Sequence, residues 1–185
     1  MSAAAERHLT TAELEAGLDQ VRGAPADVGR VELVLRRPTE GEREILDAAE
    51  LTPGDGVVGD RWSHGRKHRP PNPETQLTLM SARAAELVSA GERQRWALAG
   101  DQLYVDLDLS EANLPTGTRL AVGTAVVELT PPPHTGCKKF VQRFGLDAMR
   151  FVNSPEGRSL RLRGVNARVV EPGIVRPGDE IRKLR

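Results

Sequence analysis

Apolar residues recur with a period of two in several short segments of the chain, which is the pattern of half-buried β-strands. In residues 103–110, leucine and valine alternate with tyrosine, aspartate and serine, so we predict a strand with one face in the core and one in solvent. Residues 119–122 and 125–129 flank Gly123-Thr124 and predict a hairpin with a two-residue turn. Further strands are predicted at residues 31–35, 76–80, 164–170 and 180–184, and at residues 42–51 a strand is favoured over a short helix.

Three short helices are predicted between these strands. The first begins with a capping-box pair, Thr10 and Glu13, and the second begins at Ser81. The third covers part of residues 138–149, whereas residues 53–74 are rich in glycine and proline and predict a long loop. About seven short strands without regular strand-helix alternation predict a mainly β fold, a β-barrel with a few short peripheral α-helices.

Length and composition indicate one soluble domain. A chain of 185 residues is long enough for a single core, and no apolar run approaches the roughly 20 residues that cross a bilayer. The N-terminus has no apolar stretch behind a basic start, so we expect no signal peptide and a cytoplasmic location. We expect residues 1–29 to be an N-terminal helix and linker, and residues 30–185 to be the barrel domain.

The formal net charge of zero hides an uneven distribution. Lys and Arg together number 26, as do Asp and Glu, so general attraction to nucleic acid or to an anionic membrane is not expected. Residues 138–185, however, hold twelve Lys or Arg against five Asp or Glu, about +7, which leaves about −7 for residues 1–137. The basic C-terminal quarter would suit an anionic small ligand, and a solvated basic face is the alternative.

The single cysteine, Cys137, is the most informative residue for chemistry. It excludes an intrachain disulfide, as suits a reducing compartment. Cys137 ends a proline-rich segment, has His134 nearby and precedes Lys138 and Lys139, a setting that favours the thiolate. A thiolate is a nucleophile and a soft-metal ligand, so we predict one of these roles. A buried apolar cysteine is the alternative.

Two further motifs are candidates for ligand binding. Residues 54–59 match the glycine fingerprint of dinucleotide-binding proteins, but the residues that follow cannot open the required helix. His64 and His68 have the spacing of helix-borne zinc ligands, and His134 and Cys137 have the spacing of half a zinc-finger site. A helix is not expected around His64, so a zinc site with three histidines and the cysteine remains an alternative only.

An ordered set of segments points to one protein family. They are GDQLYVDLDL at residues 100–109, LPTGTRLAVG at 114–123, VELT at 127–130, the proline-rich approach to Cys137, LRGVNARVVEPG at 162–173 and RPGD at 176–179. Together they resemble the MOSC domain family, named for the C-terminal domain of molybdenum cofactor sulfurase. The resemblance covers residues 31–184, places the family's invariant cysteine on Cys137, and implies a β-barrel with short helices.

The resemblance implies a sulfur or molybdenum role for Cys137. Either the cysteine carries sulfur as a persulfide, or its thiolate ligates the molybdenum of a pterin cofactor. Relatives that hold this cofactor reduce N-hydroxylated compounds with electrons from partner proteins, so the chain is expected to be a molybdenum-dependent oxidoreductase or a sulfur transferase. A non-catalytic carrier in cofactor maturation, working with the cofactor's biosynthesis proteins, and a zinc-stabilised binding barrel are the rivals.

Site residues follow from the resemblance and from their neighbours in sequence. Cys137 is the expected metal ligand, and His134 is expected to orient a ligand or donate a proton. No domain that binds pyridoxal phosphate is expected ahead of this one, and a stand-alone bacterial-type member, monomeric or homodimeric, is implied. The candidate cofactor contacts are Asp60, Arg61, Asp101 (where the family has glutamate), Asn113, Lys138, Arg161, Arg163 and Arg168.

Overall fold

The computed structural model describes residues 7–65 and 69–185, and most of its regular elements are short strands. The strands are β1 Val28–Arg36, β2 Glu44–Ile45, β3 Ala49–Thr52, β4 Gly56–Val57, β5 Leu77–Ser81, β6 Leu103–Asp106, β7 Arg119–Val122, β8 Ala125–Pro133, β9 Val165–Glu171, β10 Gly173–Val175 and β11 Glu180–Lys183. The α-helices are α1 Thr11–Ala16, α2 Leu18–Arg22, α3 Ala82–Val88, α4 Lys138–Phe144, α5 Leu146–Asn153 and α6 Pro155–Ser159. Short 3-10 helices cover Arg61–His64, Pro73–Thr75 and Arg93–Ala99.

Seven of the strands close into a barrel. Their order is β11-β7-β8-β9-β5-β6-β1, and pairing of β1 with β11 completes the circle. Strands β5 and β6 run parallel, whereas the other neighbours in the circle are antiparallel. The predicted β-barrel with short helices is therefore confirmed. In the described part of the chain no helix is long and apolar enough to cross a bilayer.

Two apolar clusters hold the fold together, one inside the barrel and one between its outer wall and the helices. Strand β6 contributes side chains to both clusters, because its residues alternate in direction. Leu103 and Val105 point into the barrel, and Tyr104 points outward. Tyr104 is fully buried under the helices and donates a hydrogen bond from its hydroxyl to the carbonyl oxygen of Trp96 at 2.7 Å. The predicted solvent face of residues 103–110 is thus wrong at Tyr104, which helices cover, whereas Asp106, where the strand ends, is partly exposed.

The N-terminal helix belongs to the second cluster. The predicted capping box is confirmed, with the Thr10 hydroxyl and the Glu13 carboxylate each accepting a backbone N–H of the other residue. The helix divides at Gly17, where a Cβ atom would lie 2.3 Å from a methyl group of Leu87. Leu14 on α1 is fully buried in this cluster.

The elements beside the barrel differ in detail from the sequence-based expectations. Residues 42–51, predicted as one strand, form β2 and the start of β3, and the predicted loop of residues 53–74 contains β4 and two 3-10 helices. The hairpin at Gly123-Thr124 is confirmed by the pairing of Val122 with Ala125. Strand β8 continues through the three prolines, so it carries the chain directly to the segment that ends at Cys137.

We predict that the apolar face of the N-terminal helix contributes substantially to stability. Leu14→Ala should lower the free energy of unfolding by about 2–5 kcal/mol, because it leaves a cavity in a packed cluster. Ile45→Ala is the matched control, since its side chain is 60% exposed and its loss should cost less than about 0.5 kcal/mol. Urea denaturation of both variants is the measurement, and equal midpoints would contradict a role for the helix in the core.

Candidate functional site

A cavity of about 550 Å³ opens beside Cys137, and most of the charged side chains around it are cationic. This volume falls in the range of small-molecule sites, roughly 300–1,000 Å³. Glu42 is the one acidic residue among its described lining residues. We call it the basic cavity. Its cationic lining residues are Arg37, Arg43, Arg61, Lys138, Lys139, Arg143 and Arg163.

Cys137 lies at the N-terminal end of α4 and is exposed, so the alternative of a buried apolar cysteine is wrong. Desolvation raises the pKa of its thiol, but the backbone N–H groups of Phe140 and Lys139 lower it. The positive charges of Arg163 and Arg143 add to this, and the net result is a pKa below the ordinary cysteine value. The local geometry therefore favours the thiolate.

A buried ion pair forms the wall behind the cysteine. Asp101, which precedes β6, is fully buried, and its Oδ2 accepts a hydrogen bond from Nη1 of Arg163 at 2.6 Å. Burial raises the pKa of Asp101, but the charge of Arg163 together with the smaller effects of neighbouring charge and hydrogen bonds holds it below the usual value. Arg163 also donates from Nη2 to the carbonyl oxygen of Ala99 at 3.0 Å, so its guanidinium is fixed in place.

His134 completes this wall. Its Nδ1 lies 3.4 Å from Oδ1 of Asp101, and neither atom has a hydrogen-bond partner in the described part of the chain. Burial, followed by the charge of Arg163, lowers the pKa of His134 to about 4, so the imidazole is neutral at pH 7. His134 and Arg163 separate the basic cavity from a second cavity of about 300 Å³.

Asp60 and Arg61 have different roles although they are adjacent. Asp60 is fully buried and accepts hydrogen bonds from Nε and Nη2 of Arg37 at 3.0 and 3.1 Å. It therefore positions Arg37, which also donates from Nη1 to the carbonyl oxygen of Gly100 at 3.2 Å. The Asp60 ion pair is with Arg37 and not with Arg61, whose side chain lines the basic cavity.

Three of the predicted cofactor contacts lie away from the basic cavity. Asn113 donates from Nδ2 to the carbonyl oxygens of two loop residues and so fixes the chain there. Arg161 donates to the carbonyl oxygen of Leu114 at 2.5 Å and lines the second cavity. Arg168 pairs with Glu128 at 2.6 Å and lines neither cavity. Of the three predicted cofactor contacts Arg161, Arg163 and Arg168, only Arg163 lines the basic cavity.

The sequence patterns did not identify Arg37, Arg43 or Arg143 as site residues, although all three line the basic cavity. Arg143 follows Lys139 by four residues on α4, so helical spacing was an available signal for it. Arg37 and Arg43 follow β1 in a turn, and no local pattern distinguishes them. Together with Arg61 they come from the acidic part of the chain, so the basic cavity is not the product of the basic C-terminal quarter alone.

The other motifs form no metal or nucleotide site among the residues that the structure describes. His64 ends a 3-10 helix, and His68 lies outside the described residues. Within residues 7–65 and 69–185, no three His, Cys, Asp or Glu side chains are grouped to hold a metal ion. The glycine fingerprint of residues 54–59 contains β4 and leads into a 3-10 helix rather than an α-helix.

We predict that Cys137 reacts with iodoacetamide at lower pH than an ordinary cysteine does. The midpoint of the rate-against-pH curve should fall below that of free cysteine because backbone N–H groups and arginines favour the thiolate. Arg143→Gln should raise the midpoint, whereas Arg182→Gln, a change in an exposed ion pair, should not. A midpoint that is the same in all three proteins and no lower than that of free cysteine would refute the electrostatic account.

We also predict that His134 makes the fold sensitive to acid. Between its ordinary pKa of 6.5 and the folded value of about 4, the unfolded chain binds a proton that the folded chain excludes. Stability therefore falls as pH drops through this range, by up to about 3 kcal/mol from this residue. Denaturation of wild type and His134→Gln at pH 7 and pH 4 measures the difference, and parallel losses in both would argue against it.

Comparison with known proteins agrees with the fold. The YuaD protein from Bacillus subtilis aligns with 85% of this chain and 97% of its own at 15% identity, with a TM-score of 0.57. YiiM from Escherichia coli aligns with 84% of this chain and 70% of its own at 18% identity, with a TM-score of 0.55. No curated protein matches the sequence. The sequence model of the MOSC domain family matches residues 68–182, which is more than half of the chain. The chain belongs to the MOSC domain family.

Proposed function

We propose that this chain binds a molybdenum-pterin cofactor in the basic cavity, with the Cys137 thiolate as the metal ligand, and reduces N-hydroxylated compounds. The observation that carries the proposal is the position of Cys137. It is exposed, its thiol has a lowered pKa, and it lines a cavity that is rich in arginine and lysine. The thiolate is a soft ligand for the metal. The cationic side chains beside it can bind the anionic groups of the organic part of the cofactor.

The residues present fit such a cofactor. Its phosphate needs cations whose charge is not already neutralised, and Arg61 and Lys138 form no salt bridge with a described carboxylate. We assign the phosphate to these two residues. Arg163 is less suited, because Asp101 and the carbonyl oxygen of Ala99 already occupy its guanidinium. Its role is to support the wall behind Cys137.

Reduction of an N-hydroxylated compound breaks the N–O bond, consumes two electrons and two protons, and releases water. The bound cofactor would supply the two-electron redox chemistry, with electrons from a separate donor protein. In this chain, His134 is the group placed to hold and pass a proton, and its Nδ1 lies 3.4 Å from the carboxylate of Asp101. An anion in the basic cavity would offset the positive charge that lowers the pKa of His134.

A sulfur carrier is the second candidate, and the exposure of Cys137 favours it. An exposed thiolate can attack the terminal sulfur of a donor protein's persulfide. The S–S bond of the donor then breaks, a new S–S bond forms on Cys137, and the donor leaves as its thiolate. This reaction requires contact between two proteins, and it does not require a metal in the basic cavity.

Metal, pterin and mass analysis of the purified protein separates the two candidates. Molybdenum and pterin in wild type, lost in Cys137→Ser, would support the cofactor site. Loss of an outer-shell partner costs about 10–100-fold in metal affinity, so removal of the ligand itself should cost at least that much. A mass increase of about 32 Da on Cys137 without molybdenum would support the carrier. Equal molybdenum content in wild type and Cys137→Ser would contradict metal ligation by Cys137.

A further inference from the structure

The cations of the basic cavity fall into two groups according to their partners. Arg37, Arg163 and Lys139 each pair with a carboxylate, and the first two of these carboxylates are fully buried. The second group forms no salt bridge with a carboxylate of the described residues, so its charge is available to a ligand. Its members are Arg43, Arg61, Lys138 and Arg143.

Two members of the second group converge on one backbone oxygen. Arg143 donates from Nη1 to the carbonyl oxygen of Leu98 at 2.6 Å, and Arg43 donates from Nη2 to the same oxygen at 3.4 Å. Arg43 also donates from Nη1 to the carbonyl oxygen of Gly41 at 3.0 Å. The two guanidinium groups are therefore held side by side in the wall of the basic cavity. We call Arg43 and Arg143 the arginine pair.

The arginine pair is electrostatically incomplete. Desolvation lowers the pKa of Arg43, and the positive charge of Arg143 lowers it further. One neutral carbonyl oxygen cannot balance two positive charges, and the Nε atom of Arg43 is buried without a partner in the described part of the chain. An anion between the two groups would remove this deficit.

The geometry favours a phosphate dianion. Each guanidinium carries five N–H donors, and the carbonyl oxygens of Leu98 and Gly41 engage only three of these in total. Two planar donor groups beside each other match the several oxygens and the double charge of a phosphate monoester better than the single charge of a carboxylate.

We propose that Arg43 and Arg143 form a subsite for the phosphate of the substrate, so that the substrates are phosphorylated N-hydroxylated compounds. The inference rests on the proposed function, in which Arg61 and Lys138 take the phosphate of the cofactor. This assignment of the cofactor phosphate leaves the arginine pair available to bind a second anionic group. Arg43, Arg143 and Cys137 all line the basic cavity, so this group would be bound in the same cavity as the thiol.

Binding tests the subsite without any need for turnover. Calorimetry of the purified protein with AMP and with adenosine should show that the phosphate strengthens binding by at least about tenfold. The variant Arg43→Gln/Arg143→Gln should lose this preference, and Arg182→Gln should keep it. Arg143→Lys retains the positive charge without the planar donor group and should keep part of the preference. Equal affinities of wild type for AMP and adenosine would overturn the subsite.

Kinetics tests the substrate class. The molybdenum-loaded protein should reduce an N-hydroxylated adenosine 5′-monophosphate with a higher kcat/KM than the corresponding nucleoside, through a lower KM. The double variant, compared at equal metal content, should bring this ratio close to one. A ratio near one in wild type overturns the inference, and so does loss of molybdenum and pterin from the double variant, since the arginine pair would then serve the cofactor. Preferential AMP binding with no reduction of either compound supports the phosphate subsite and counts against the proposed reductase.

Discussion

The site depends on the buried ion pair between Asp101 and Arg163. Removing two charges from water costs several kcal/mol for each, so the pair is stable only because its contacts are close and numerous. Arg163 reaches Asp101 at 2.6 Å, donates to a backbone carbonyl and lies over the ring of Phe140 at 5.2 Å. It thereby joins the start of β6 to the start of β9 and to α4. Gly164 makes the turn after Arg163 possible, because its φ is +104° and a Cβ atom there would lie 2.3 Å from the carbonyl oxygen of Leu79.

The cations of the basic cavity differ in whether a carboxylate already neutralises them, and this decides whether they support the cavity wall or can bind a ligand. A cation with a buried carboxylate partner, such as Arg37 with Asp60, is already neutralised and mainly fixes the shape of the cavity. A cation that is satisfied only by carbonyl oxygens, such as Arg143, keeps most of its charge for a ligand. The neutral imidazole of His134 lies between these groups, and its state responds to the charge that enters. The basic cavity therefore contains both cations that are neutralised by carboxylates and cations that are satisfied only by carbonyl oxygens.

Most local features of the fold could be predicted from the sequence. The capping box at Thr10, the turn at Gly123-Thr124 and the delivery of Cys137 from a strand end depend on neighbours within a few residues. Prediction failed where distant elements decide the environment. Tyr104 alternates with apolar residues as an exposed position would, but α-helices from both sides of the sequence cover it. Alternation shows that two faces exist and cannot show what packs against each of them.

For the candidate site, the sequence by itself determined the reactive atom and much of its chemistry. Cys137 stands between a glycine and two lysines at the start of a helix, and backbone N–H groups of that helix lower the pKa of its thiol. These groups lie within three residues of the cysteine, so the sequence could indicate their effect. Only the tertiary structure decided which cations surround that thiol. Arg37, Arg43 and Arg61 are about 80–100 residues away in sequence, in the acidic part of the chain, and barrel closure brings them to the cavity. Electrostatic interactions depend on distance in space, and the order of residues along the chain does not contain those distances.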